Sequence, residues 1–374
     1  MESLPQEALD FIKWLKEEQE QKIDYTPIEY IPSENEVILA ETLNPNLPQL
    51  APFVDFLISA RLGRVSTLLV APRQGGKSKS ILISTQIIPA ERIDGLDPST
   101  LAKKLRQPRQ NVNNKMPRVD CYVEDMTNLI NLQTLPIIAT LIFQHKYETA
   151  QLEIPDIDLC FIGGCHHERL AQLIALPEWT QMLQDRLIRL YLLYWNRPKP
   201  QRVLRDDEFP EISEIKIDFN LNPEFEITNN QIESLIPILE AQISPERAFN
   251  FIKSILKGHA IFCGRDEVTE EDLNWFSLFE PVLSIEQYLY RRTPKSEKLS
   301  FNELAFGILH EYLKDFSQPD RIARRFRITP EALKSYLQKL GEDLNCKFEI
   351  GKEPSGLWIE KLKNLHNIFT LEPL

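Results

Sequence analysis

Two glycines, a lysine and a serine stand in a row at Gly75-Gly76-Lys77-Ser78, after the apolar run Ser66-Thr67-Leu68-Leu69-Val70-Ala71 and the turn residues Pro72-Arg73-Gln74. Glycines let backbone N–H groups close around an anion. A lysine ammonium answers the charge of a phosphate, and a serine hydroxyl can bind Mg²⁺. Lys79 follows at once, where Lys79-Ser80-Ile81-Leu82-Ile83 can begin a helix. In the pattern G-x-x-x-x-G-K-[ST] the first glycine is replaced here by Ala71, which predicts a stiffer turn. Two acids, Glu124 and Asp125, end a second apolar run that starts at Val119. Carboxylates so placed can support a Mg²⁺ shell, with Glu124 joining Ser78 as metal candidate, and can polarise an attacking water. Their order is Glu then Asp, the reverse of the usual one, and a misplacement of ~1 Å can cost about 10²-fold in rate. A third apolar run, Ile157 to Gly164, leads to Cys165-His166-His167-Glu168, where His167 or His166 could meet a terminal phosphate. Zinc at Cys160, Cys165, His166 and His167 is disfavoured, because adjacent histidines rarely share a metal and no second ligand pair has finger-like spacing.

The elements that would position these groups alternate. Apolar runs separated by helical periodicity, with a fourth run from Leu187 to Tyr194, predict an α/β fold with a parallel sheet. Arg186 stands just ahead of the fourth run. Residues 3–22 read as an amphipathic helix, 23–50 as a proline-rich extended connection, and Pro52 to Arg64 as a helix feeding the loop. Residues 196–210 form a proline- and charge-rich joint, followed by one strand-like piece over 211–227. Ser244-Pro245 starts a helix with Arg247 in its first turn, and Thr269 caps another.

At 374 residues the chain has room for two or three domains, and its 43% hydrophobic residues can build ordinary cores. A net charge of −12 argues against a chain that coats nucleic acid over its whole surface. Locally the sign reverses: Leu101 to Arg118 holds Lys103, Lys104, Arg106, Arg109, Lys115 and Arg118 and no acid. Such a run is either a solvated loop or a face for a polyanion. In the tail, helices over 304–313, 318–326 and 330–340 precede a hairpin with arms at 346–350 and 356–359, which reads as a winged helix-turn-helix. Arg321, Arg324, Arg325, Arg327, Lys334 and Lys339 could meet DNA phosphates there, although the segment is close to neutral and such modules also bind protein. No run is long enough to span a membrane, and the acidic N-terminus has no signal-peptide core. Five cysteines without a Cys-x-x-Cys pair suggest reduced thiols and a cytoplasmic setting.

The order of parts resembles an AAA+ ATPase of the branch holding MoxR-type ATPases, minichromosome-maintenance helicases and PrkA-type proteins, across about residues 45–280. Val70 to Ser78 is similar to Walker A and Cys121 to Asp125 to Walker B. Leu141 to Glu148 is similar to the helix end and hairpin before sensor 1. Leu183-Gln184-Asp185-Arg186-Leu187 resembles L-x-D-R-F, and Gly264-Arg265-Asp266-Glu267-Val268-Thr269-Glu270-Glu271-Asp272-Leu273 resembles the lid's G-R-x-x-V-T-x-E-D-L. The resemblance implies an N-terminal helix and linker over 1–44, an ATP-binding core over 45–206, a helical lid over 207–292 and a winged helix over 293–374. It implies ATP and Mg²⁺ held by Gly75, Gly76, Lys77, Ser78 and Lys79. It implies that His167, or else His166, takes the place of the sensor 1 asparagine, that Arg247 corresponds to the sensor 2 arginine, and that Arg186 is a finger supplied to a neighbour in a homo- or hetero-oligomer. It implies ATP-dependent work on DNA or a DNA-bound partner. The departures at Ala71, Gln74, Glu124-Asp125 and His167 point to slow hydrolysis, and leave open an adaptor without turnover or a MoxR-like chaperone.

Overall fold

The computed structural model describes residues 25–106, 116–149, 152–154, 156–205, 207–212, 214–292 and 299–370. The helix expected over 3–22, and Arg109 and Lys115, lie outside them. At the centre is a five-stranded sheet of β1 (Thr67–Ala71), β2 (Glu91–Arg92), β3 (Arg118–Val123), β4 (Asp158–His166) and β5 (Ile188–Tyr191). The order is β2-β3-β4-β1-β5, and every pairing is parallel. All five residues of β1 are buried, which is why that strand reads as a continuous apolar run rather than an alternating one.

Chain direction decides where a site can form. From β1 the chain runs through the helix Lys77–Ile87 to the edge strand β2. From β4 it crosses to β5 on the other side of β1. Parallel crossovers are right-handed as a rule, so connections in opposite directions put their helices on opposite faces, the arrangement in which a ligand crevice forms beyond the C-terminal ends of strands, here those of β1 and β4. Ala71 pairs with His166 in that register, so the lysine loop and the end of β4 share the crevice.

Beneath the sheet the helix Ala51–Leu62 is apolar on nearly every face, and all but one of its residues are buried. It packs against the helices Lys77–Ile87, Pro245–Phe262, Glu34–Leu43 and Leu357–Thr370. Its crossing with Pro245–Phe262 is made by glycines. A Cβ at Gly258 would lie 2.0 Å from the Ser59 carbonyl oxygen, and one at Gly63 2.1 Å from that of Ser254. Arg61, at the end of Ala51–Leu62, donates to the carbonyls of Ser84 and Pro89 and to Asp120 of β3.

Three elements differ from expectation. The proline-rich connection over 23–50 contains the helix Glu34–Leu43, opened by a capping box between Ser33 and Glu36. Among its described residues, the piece over 211–227 yields only Glu224–Phe225 as strand, paired parallel with Glu267–Val268. In the tail the helices Glu303–Lys314, Pro319–Phe326 and Pro330–Leu344 lie close to where the periodicity puts them. The second hairpin arm does not extend to 359: Ser355–Gly356 pairs with Cys346–Lys347, and the chain then enters the helix Leu357–Thr370. Trp358, Leu362, Leu365 and Phe369 fall at helical spacing and are buried, so tertiary burial outweighs a hairpin there. That helix joins the body, with the Phe369 carbonyl accepting from Asn44 and the Trp358 indole donating to the Pro281 carbonyl. Among the described residues no helix is long and apolar enough to cross a membrane.

Candidate functional site

The loop between β1 and the helix Lys77–Ile87 takes its shape from two left-handed residues, Gln74 at φ 61° and Gly76 at φ 92°. Ala71, by contrast, is the last residue of β1 and ordinary strand, so the missing glycine does not stiffen the turn. The unfavourable backbone falls on Gln74 instead. Gly76 cannot bear a side chain in this setting, because a Cβ would lie 2.6 Å from the Tyr194 hydroxyl oxygen. That hydroxyl donates to the Gly75 carbonyl at 2.8 Å and fixes one wall of the loop. Tyr194→Phe should therefore cost about 1–3 kcal/mol by leaving a buried carbonyl unpaired. Chemical denaturation measures that loss, and weaker phosphate-ligand binding should accompany it. Unchanged stability would show the contact to be idle.

Lys77 folds back under the loop. Its Nζ donates to the carbonyls of Ala71 and Pro72, each at 3.0 Å, and lies 3.3 Å from His166 Nδ1. Burial pushes its ammonium down to about 8, against the opposing pull of Cys165, Asp125 and Glu168. His166 is also held below its usual range, by burial first and by the Lys77 charge second. Its Nε2 stands 3.8 Å from Asp125 Oδ2. Lysine, imidazole and carboxylate thus form one row at the mouth of the crevice. Ser78 is partly exposed in the first turn of the helix Lys77–Ile87.

The remaining site candidates are distributed differently. Glu124 turns away, its Oε1 paired with Arg92 Nη2 at 2.9 Å, while its backbone N–H donates to Asp94. Asp125 caps the helix Met126–Asn131 through Oδ1, which accepts the Thr127 N–H at 2.9 Å, and directs Oδ2 towards His166. The acid beside the lysine row is therefore Asp125. His167 starts the next helix and packs 5.6 Å from the Phe306 ring, under the tail. Burial drives it down to about 3, and its Nδ1 has no hydrogen-bond partner among the described residues. The imidazole at the loop is that of His166. Lys79 is committed elsewhere: its Nζ donates to the carbonyls of Arg205 and Glu208 and sits 4.1 Å over the Phe209 ring.

Arg186 and Arg247 gather at the other end of the sheet. β5 begins beside Thr67, the first residue of β1, whereas Lys77 follows its last. Just before β5, Arg186 stacks 4.0 Å over Phe143, and Asp185 accepts from Ser244 and pairs with Arg247 at 3.4 Å. The expectation that Arg247 reads the phosphates of its own loop fails on this geometry, since its partner is Asp185 at the base of the sheet. Arg186 is equally out of reach of its own Lys77.

Among the cations considered for DNA, several already have partners. Lys104 pairs with Glu91, Arg118 lies 3.9 Å from Asp158, Arg106 donates to the Glu153 carbonyl, and Lys103 is exposed. In the tail, Arg321 pairs with Asp315, Arg325 with Glu311 and Lys339 with Asp343. Arg324, Arg327 and Lys334 are exposed. Sequence reasoning missed Tyr194 and Arg92: a tyrosine in an apolar run and an arginine on a two-residue strand carry no local signal. The chain matches no protein-family model and no curated protein.

Proposed function

We propose that this chain is an ATP-binding module of the AAA+ type, with Mg²⁺-ATP held at the loop from Ala71 to Ser78 and hydrolysed slowly. One observation carries the reading: Lys77 lies in the crevice between the ends of β1 and β4, with His166 and Asp125 beside it and a helix N-terminus above. Such a crevice, at the reversal of strand order, is where open α/β sheets take their ligands. The donor set suits phosphate: Lys77, the backbone N–H groups around Gly75 and Gly76, and the aligned dipole of the helix Lys77–Ile87. Ser78 and Asp125 would support Mg²⁺, and His166 would face the terminal phosphate. Mg²⁺ would neutralise the charge that builds on the phosphate oxygens.

Slow turnover follows from the second acid. Glu124, bound to Arg92, is unable to orient water unless that pair opens. Arg186 would act on a neighbouring subunit, because its own loop lies beyond its reach. Assembly with ATP is thus part of the reading, and mass photometry with and without nucleotide tests it. DNA contact rests on the exposed Lys103, Arg324, Arg327 and Lys334, fewer charges than the sequence offers. The Glu124–Arg92 pair also favours a second reading, an adaptor that binds nucleotide or a partner without turnover.

Isothermal calorimetry with Mg²⁺-ATP, beside phosphate release, separates these readings. Binding with slow release supports the first and binding without release the second; no binding removes both as nucleotide proteins. The acids make a sharper test. Asp125→Asn should raise the Mg²⁺ needed for half-maximal ATP binding by about 10-fold, the size of one lost charge-assisted contact. Glu124→Gln should leave that requirement within about 2-fold. The reverse ranking would return the metal role to Glu124.

A further inference from the structure

A second cluster lies away from the loop, where the helix Pro245–Phe262 meets Glu34–Leu43. His259 occupies the last turn of the first helix and Cys263 follows four residues later, so both side chains share one face. They meet Glu36 of the other helix. His259 and Glu36 are fully buried and Cys263 partly, which leaves a route in from solvent. Cys263 Sγ stands 3.3 Å from His259 Nε2 and 3.7 Å from Glu36 Oε2, and His259 Nε2 stands 3.4 Å from Glu36 Oε1. Ligands on one tetrahedral zinc ion, at ~2.3 Å for sulfur and ~2.0–2.1 Å for nitrogen and oxygen, are separated by about 3.3–3.6 Å. The sulfur–nitrogen and nitrogen–Oε1 separations already match that size, and the sulfur lies 3.7 Å from the other carboxylate oxygen, Oε2.

We propose that Glu36, His259 and Cys263 form a buried zinc site that fastens the segment around residues 30–43 to the helix Pro245–Phe262. Tyr30 Oη lies beside the three ligands, 3.1 Å from His259 Nε2 and 2.8 and 2.7 Å from Glu36 Oε1 and Oε2, and would supply a fourth oxygen. The surroundings are those that a metal-bound imidazole needs. His259 Nδ1 lies 2.6 Å from Asp272 Oδ1, and a carboxylate at that nitrogen fixes the tautomer with the Nε2 lone pair facing the metal. Asp272 is itself held by both terminal nitrogens of Arg265 and by the Thr269 N–H. Glu36 Oε2 accepts the Ser33 N–H at 2.7 Å, which orients the carboxylate and leaves Oε1 towards the imidazole. Trp275 stacks on the His259 ring at 3.9 Å. Behind it Asp55, fully buried, accepts the Trp275 indole N–H at 2.6 Å and so fixes the ring that covers the imidazole. Zinc would replace the thiol proton and any proton on Nε2.

The test uses the full chain, stripped with chelator and titrated with zinc alone and with cobalt alone. Expected are one metal per chain, a higher thermal midpoint with metal, and a cobalt spectrum with a thiolate charge-transfer band. Cys263→Ser should abolish that band and weaken metal binding by at least about 10-fold, and Asp272→Asn should weaken it by ~10–100-fold. No uptake by the wild-type chain overturns the proposal. So does cobalt uptake without the thiolate band, or uptake unchanged in both Cys263→Ser and Cys263→Ala. If neither variant folds, the wild-type cobalt spectrum decides alone.

Discussion

Lys77→Met should weaken Mg²⁺-ATP binding by at least about 10²-fold, because an ammonium on phosphate makes charge-assisted bonds worth about 1.5–3 kcal/mol each. The same variant should give an unusual pH signature in the bare protein. Burial holds the folded-state Lys77 ammonium at about 8 against an ordinary value of 10.5. Between those two values the unfolded chain binds the proton and the folded one does not, so stability rises with pH across that window. Below pH 8 both states are charged, and the folded protein carries the full cost of a buried ammonium, about 3 kcal/mol. Measured as a difference, Lys77→Met should lose its stability advantage over wild type by up to that amount as pH climbs from 8 to 10.5. Urea denaturation at several pH values reads it. ATP should act in the opposite sense: phosphate restores the charge, binding takes up a proton above pH 8, and affinity falls there in wild type alone. A pH-independent difference in stability would mean that Lys77 is solvated and free of the loop.

The buried-strand signals in the sequence were strong because β1 and β5 are buried throughout and β3 and β4 along most of their length, and such strands leave long apolar runs. The loop was legible for a local reason: its chemistry sits in consecutive residues, Gly75 to Ser78. Direction of side chains was not. Whether Glu124 or Asp125 faces the lysine depends on Arg92, three strands away from β1 in the sheet, and whether His166 or His167 does so depends on where β4 ends. Arg247 was assigned by its place early in a helix, yet the crossing at Gly63 and Gly258 carries that helix to the base of the sheet. The helix Glu34–Leu43 did announce itself, through Ser33 and Glu36, but four prolines within 23–50 spoke against it. His259 and Cys263 had helical spacing, while their partner Glu36 is more than two hundred residues distant in sequence. Tertiary pairing over such distances leaves no local trace.

Glu286→Gln should destabilise the protein by about 3–5 kcal/mol while leaving nucleotide affinity nearly unchanged, since removing one member of a buried ion pair leaves the other charge uncompensated. Glu286 receives Arg189 Nη2 at 2.8 Å and the Tyr191 hydroxyl at 2.9 Å, both from β5, and neither charged side chain is more than 2% exposed. β5 is an edge of the sheet, and an open edge invites pairing with other chains. Gln242 closes it by imitating a strand. Its Oε1 accepts the Arg189 N–H at 2.7 Å and its Nε2 donates to the Arg189 carbonyl at 2.7 Å. The ion pair thus holds the segment that covers this edge, and its loss should appear as weaker cohesion and greater aggregation rather than as a poorer phosphate site. The double variant Arg189→Met, Glu286→Leu should recover most of the loss, because hydrophobic replacement of a whole buried pair is often neutral or stabilising. Urea denaturation of Arg189→Met, of Glu286→Leu and of the double closes the cycle. Single variants costing less than about 1 kcal/mol would show that water reaches the pair, and that Gln242 alone protects the edge.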